Sequence, residues 1–227
     1  MDELIHYAYL ISIWAVPMLI AITFHEAAHG WAAWKLGDPT AKMLGRVTFN
    51  PVKHIDPVGT ILIPGMLLLM SAPFLFGYAK PVPVRFGRLR NPRADMVLVA
   101  AAGPAINIVL ACASALLINL LPIVPGGVQH WYASVLEKSI LINLVLATFN
   151  MIPIPPLDGG RIAVGLLPES LARPLAQLER YGFFIVLGLL FLLPMVGREI
   201  GMDLNFIWHA IEYVVGTLLV AILTIFT

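Results

Sequence analysis

Apolar residues in this chain neither alternate nor recur as helical stripes; they gather into long runs that charged residues interrupt only at intervals. Residues 9–24, "YLISIWAVPMLIAITF", carry no charge at all. Five runs, at about residues 9–34, 97–121, 139–158, 181–196 and 206–226, approach the roughly 20 residues that cross a bilayer as a helix. A sixth, residues 59–76, "GTILIPGMLLLMSAPFLF", is apolar for 18 residues but broken by Pro64, Gly65 and Pro73. The pattern predicts an all-α polytopic membrane protein of five to six transmembrane helices.

Charge in the connecting segments bears on the broken run. Residues 35–58 hold Lys35, Lys42, Arg46 and Lys53 against Asp38 and Asp56, and residues 78–95 hold Lys80, Arg85, Arg88, Arg90 and Arg93 against Asp95. Positive loops stay on the cytoplasmic side, so a full crossing between these two would misplace one of them. The expectation is therefore a re-entrant element at 59–76, tolerable where protein buries its backbone, with five spans, the N-terminus outside and the C-terminus inside. A sixth crossing is the alternative.

Composition agrees with this class. The chain has 227 residues, 59% hydrophobic and 12% charged, against about 45–50% and about 25% in soluble domains. The net charge of +1 gives no reason to expect nucleic acid as a partner, and the single Cys112 excludes an internal disulfide. The start, "MDELIHYAYL", is acidic and unlike a cleavable signal, so the first span is expected to be retained. One membrane domain over residues 1–227 is expected, with a core at about 21–165 and accessory helices at about 181–227.

Against this background "TFHEAAHGWAAW", residues 23–34, is anomalous. His25, Glu26 and His29 form HExxH, which on a helix puts both imidazoles on one face with the carboxylate beside them. Chance would produce the motif about 0.005 times in a chain of this composition. Each ionisable group in a span costs about 2.5–3.5 kcal/mol on insertion scales, which a bound dication would offset for all three. Catalytic zinc takes three protein ligands and keeps a position open. The best third candidate is Asp158 in "NMIPIPPLDGGRI", residues 150–162, at a depth matching the histidines. Helix capping is its competing role. Pro153, Pro155 and Pro156 predict an unwound backbone just before it, and Gly159 and Gly160 a close approach.

HExxH in an early span, "GPAIN" at residues 103–107 and "NMIPIPPLDGGRI" in a later one together resemble the site-2 protease family of intramembrane zinc metalloproteases. The resemblance implies one Zn2+ held by His25, His29 and Asp158, Glu26 as the catalytic residue, and a core of the three helices carrying these motifs. It implies a membrane-spanning protein substrate, a bacterial or archaeal cell membrane, and a site nearer the cytoplasmic face. No insert is long enough for the PDZ or CBS domains of some relatives. Asn107 and Asn150, polar within apolar helices, are candidates for holding substrate backbone or oxyanion. Lys80, Pro81, Val82, Pro83 and Val84, in "GYAKPVPVRF", suit an edge strand that pairs with an unwound substrate. His54 and Asp56 are expected to cap turns, and the arginines of residues 85–93 to meet lipid headgroups. Two other readings stay open: Glu199, with Asp203, as a third ligand, and a transporter or metal-binding protein using the same cluster as an ion site.

Overall fold

The computed structural model describes residues 2–63, 66, 69, 70 and 79–227. Five of its helices are long and apolar enough to cross a membrane. Helix α1, Asp2–Lys35, has 34 residues, so it extends about 50 Å at 1.5 Å per residue and outreaches the roughly 30 Å hydrocarbon layer. A short α2, Thr40–Met43, follows. Helix α3 is Pro92–Ile118, α4 is Gly126–Asn150 and α5 is Asp158–Leu166. A continuous helical run, α6, Glu169–Glu199, and a last helix, α7, Phe206–Phe226, complete the set.

Helices α1, α3 and α4 pack against one another as the central group, and α5 lies against α3. Pro17 in α1 and Pro104 in α3 are both buried, where neighbouring helices can serve the backbone groups that a proline frees. One core cluster joins Ala111 and Ala115 of α3 to Ile140 and Leu144 of α4 and Ile211, Val215 and Ile222 of α7. Of the three helices expected to form the core, the HExxH and "GPAIN" helices pack together, whereas "DGG" lies on a separate short helix, α5, that packs on α3 and is not the end of α4.

Helix α4 starts at Gly126 instead of near residue 139, and it stops at Asn150 instead of running to 158. The early start includes polar residues that hydropathy reads as loop. These find partners on neighbouring segments: Tyr9 donates to Ser134 Oγ at 2.9 Å, Gln129 to Leu121 O at 2.9 Å and Tyr132 to Leu117 O at 2.7 Å. The early stop is the proline effect, since residues 151–157 form turns between α4 and α5. Gly159 and Gly160 pack on that same turn, where a Cβ would lie 2.2 Å from Met151 O and 2.1 Å from Pro155 N.

Of the broken apolar run, Pro57–Leu62 make one wide helical turn that Asp56 caps, accepting from Val58 N at 2.9 Å and Gly59 N at 2.8 Å. Residues 64, 65, 67, 68 and 71–78 lie outside the described residues, and with them most of the expected re-entrant element. Residues 79–85 adopt no regular secondary structure, and no strand forms among the described residues. This segment is instead fastened as a strap. Lys80 N donates to His54 O at 2.9 Å, and the buried Arg46 Nη2 donates to Lys80 O at 2.6 Å. Arg85 N donates to Asp38 Oδ2 at 2.6 Å and Arg90 N to Leu36 O at 3.0 Å.

Asp38 is the central fastener. Burial alone would raise its carboxyl, but hydrogen bonds from the Thr40 hydroxyl and the Arg85 and Thr40 amides hold it below the ordinary carboxylate range. A depressed folded-state value means that its stabilisation is complete above the unfolded value and is lost as pH falls through the folded one. Bonds to a charged acceptor contribute about 1.5–3 kcal/mol. Asp38→Ala is therefore expected to speed hydrogen exchange at Arg85 by roughly 10- to 100-fold at neutral pH, with the helical circular dichroism unchanged; exchange like that of the parent would show the strap to be held elsewhere.

Candidate metal centre

His25 and His29 lie one turn apart on α1 and are both buried. Their Nε2 atoms are 3.0 Å apart. Asp158, the first residue of α5, brings Oδ2 to 3.2 Å from His25 Nε2 and 3.3 Å from His29 Nε2. Among the described residues this is the group of three whose donor atoms could share one metal ion.

The far side of each ring decides what these three atoms are. His25 Nδ1 lies 2.6 Å from Asn107 Oδ1, and His29 Nδ1 lies 2.7 Å from the backbone carbonyl of Val99. Both partners are acceptors, so each Nδ1 carries the proton and each Nε2 presents a lone pair. Asp158 Oδ2 is buried and receives no hydrogen bond. Three lone-pair donors thus face one buried point, an arrangement that repels itself unless a cation joins them. Zinc bonds of about 2.0–2.1 Å in a tetrahedron require donor separations of about 3.3 Å, close to those found here. The donor set therefore fits zinc with one position left open.

Helix α3 leaves room for this through Gly103. A Cβ there would sit 2.4 Å from His29 Nε2 and 2.6 Å from His25 Nε2, inside the space that the donors converge on. The glycine of "GPAIN" thus packs directly on the histidine pair.

Glu26 points from α1 into a cleft of about 490 Å³ that also exposes Asp158 and Asn150. Glu26 Oε2 accepts from Val82 N at 2.6 Å. Pro81, Val82 and Val84 form one side of the cleft, and Ile22, Leu146, Phe149 and Val186 supply apolar walls. Lys80 and Pro83 belong to the same strap, but neither lines the cleft.

The other candidates separate cleanly. Asn150 borders the cleft and donates from Nδ2 to Leu146 O at 2.9 Å. Asn107 is fully buried behind His25 and does not reach the cleft. Asp158 starts α5 but makes no side-chain cap, which removes its competing role. His54 is buried beside Thr48 O at 3.0 Å, and Asp56 caps its turn. Asp203 pairs with Asn205 at 2.8 Å and His209 at 3.6 Å. Glu199 ends α6, and neither acid joins the donor group.

Two groups that support the histidines, Val99 O directly and Asn143 through Asn107, escaped the sequence reading. The Val99 carbonyl leaves no trace in residue identity. Asn143 does: it is polar in an apolar helix, seven residues and so two turns before Asn150.

A buried HExxH pair facing a carboxylate within five membrane-length helices defines a multi-pass membrane protein with a candidate metal site. Residues 127–194 match Peptidase family M50. Over 200 residues, 86% of this chain and 87% of the relative, the chain is 38% identical to "Putative zinc metalloprotease YwhC" of Bacillus subtilis. It is 29% identical over 181 residues to "Putative zinc metalloprotease Rip2" of Mycolicibacterium smegmatis, covering 79% of this chain and 66% of that protein. It is 30% identical to the protein of the same name in Mycobacterium tuberculosis (strain H37Rv), covering 78% of this chain and 65% of that protein. No solved structure matches the chain. The chain belongs to peptidase family M50, the site-2 protease family.

Because the imidazoles are held from behind, they cannot retreat from a new methyl group. Gly103→Ala is expected to reduce zinc content to background in purified protein while leaving the helical spectrum and detergent-extracted yield intact; zinc retained at the parental level would show that α3 shifts to admit the Cβ.

Proposed function

We propose that this protein is an intramembrane zinc metalloprotease that hydrolyses peptide bonds within or near the transmembrane segments of membrane-tethered proteins. The observation that carries the reading is the buried donor triangle of His25, His29 and Asp158 beside Glu26, opening on an apolar cleft within a bundle of membrane-length helices. The surplus of positive charge at residues 35–58 and 78–95 supports a site nearer the cytoplasmic face.

Bound zinc would supply Lewis acidity to the scissile carbonyl and acidity to a water molecule. Glu26 lines the cleft next to the donor group, where its carboxylate takes the proton of the attacking water and returns it to the departing amine. The Val82 amide holds one oxygen of Glu26, which orients the carboxylate and leaves the other oxygen for that proton. Asn150, on the cleft wall, is placed to donate to a substrate carbonyl or to the oxyanion. Asn107 acts from behind, holding the His25 ring.

A transmembrane substrate arrives as a helix whose peptide groups bond to one another, so it must unwind before water attacks. The strap from Lys80 through Pro81, Val82 and Pro83 to Val84 is free of helix and borders the cleft, which supports a role in pairing with the unwound chain. Pro81 and Pro83 have no N–H, and the Lys80 and Val82 amides already donate to His54 O and Glu26, so pairing would rest on the Val84 amide and the strap's carbonyls. The apolar cleft walls suit aliphatic and aromatic side chains drawn from a membrane span.

Glu26→Gln is expected to keep zinc and lower cleavage by about 10²–10⁴-fold, with uncut single-span proteins accumulating in membranes that carry this variant. Asp158→Ala is expected to lose zinc, and Glu199→Ala to retain it. Zinc kept without Asp158, or no membrane protein changing between parent and Glu26→Gln cells, would overturn the reading.

A further inference from the structure

We infer that Asn143 is a positioning residue of the metal site, setting through Asn107 which nitrogen of His25 faces the metal. The inference rests on the zinc reading above and extends it to a residue on α4 that touches neither substrate nor metal.

Asn107 on α3 and Asn143 on α4 are both 0% exposed. Their amides form a directional chain. Asn107 Oδ1 accepts from His25 Nδ1 at 2.6 Å, while Asn107 Nδ2 donates to Asn143 Oδ1 at 2.8 Å and to Ala21 O at 3.3 Å. Asn143 Nδ2 donates in turn to the backbone carbonyl of Ser139 at 2.8 Å. That carbonyl can only accept, so the Asn143 amide has one favourable orientation, with its own carbonyl turned to Asn107. Asn107 is then oriented as well. Rotating its amide by half a turn would set its carbonyl against those of Asn143 and Ala21 and its NH2 against the His25 N–H. The chain ends at His25 with the proton on Nδ1 and the lone pair of Nε2 directed at Asp158 Oδ2.

His29 needs no such relay, because Val99 O, a backbone acceptor, receives its Nδ1 proton directly at 2.7 Å. His25 meets a side-chain amide, which could present either end. Asn143 removes that freedom. A buried interhelical hydrogen bond between apolar helices contributes only about 0.6–2 kcal/mol to packing, so packing alone is a weak reason for two fully buried amides in series. Partners behind metal-binding histidines commonly change metal affinity by about 10- to 100-fold when removed.

The hydroxyl pair Ser114 and Ser139, whose Oγ atoms are 2.8 Å apart, supplies the control. It joins the same two helices and meets the path only where Asn143 Nδ2 also donates to Ser139 Oγ at 3.4 Å, beside its 2.8 Å bond to the Ser139 backbone carbonyl. Zinc affinity of the purified full-length chain in detergent, measured by competition with a chelator, tests the assignment. Asn143→Leu is expected to weaken zinc binding by about 10- to 100-fold. Asn143→Asp, which when protonated keeps an acceptor for Asn107 and a donor for Ser139 O, is expected to restore most of it. Ser114→Ala, which removes a part-buried interhelical hydrogen bond but leaves every partner of Asn143 in place, is expected to bind zinc within about twofold of the parent. Nitrogen-15 spectra of the His25 ring should show the Nδ1–H tautomer in the parent and Asn143→Asp proteins and a mixture in Asn143→Leu. Parental affinity in Asn143→Leu, or an equal loss in Ser114→Ala, would overturn the positioning role and leave the zinc reading standing. A parent that binds zinc no better than His25→Ala would overturn both.

Discussion

Three lone pairs held at one buried point are the constraint around which this molecule is arranged. His25 Nε2, His29 Nε2 and Asp158 Oδ2 lie 3.0–3.3 Å from one another, with no hydrogen bond to the carboxylate oxygen. In an apolar bundle such a cluster is unfavourable until a dication occupies it, and it must be held together until then. Several features serve that end. Gly103 removes the side chain that would fill the point, and Val99 O and Asn107 keep the rings from turning away.

The turn between α4 and α5 serves the same site from the other side. A carboxylate in the middle of a long helix would move with that helix. Here the prolines of residues 153–156 end α4, and Gly159 and Gly160 let α5 begin flush on the turn, so Asp158 is set by close backbone packing. The strap at 79–85 closes the remaining side, with Asp38, Arg46 and His54 O holding its ends and Glu26 receiving its middle amide. Glu26 and the backbone that borders the cleft are thus linked through one hydrogen bond.

Much of this was legible along the chain. The composition and the uninterrupted apolar runs identified a polytopic membrane protein, and α7 falls on residues 206–226 as expected. The HExxH spacing put two imidazoles on one face because a helix repeats every 3.6 residues. Asp158 was recognisable from its glycine and proline surroundings. The start of α4 was not, because hydropathy scores Gln129, Tyr132 and Ser134 as polar wherever they point, while the fold turns them onto carbonyls and hydroxyls of neighbouring segments. Asn107 read as a substrate group for the same reason. A polar side chain in an apolar helix announces that it has a partner, and residue identity does not say whether the partner is a substrate or a histidine ring.

The sequence by itself determined the class of the protein and the helix that bears both histidines, and it put Asp158 ahead of Glu199 as the candidate third donor, because those follow from local periodicity and residue chemistry. Only the tertiary structure decided that the donors converge, that Gly103 faces them, that Val82 reaches Glu26 and that Asn143 stands behind Asn107. Each of these joins residues distant along the chain through contacts made by backbone carbonyls, amides or a missing Cβ. Such groups are common to nearly every residue, so their use at one place is written in the packing of helices and not in the letters of the chain.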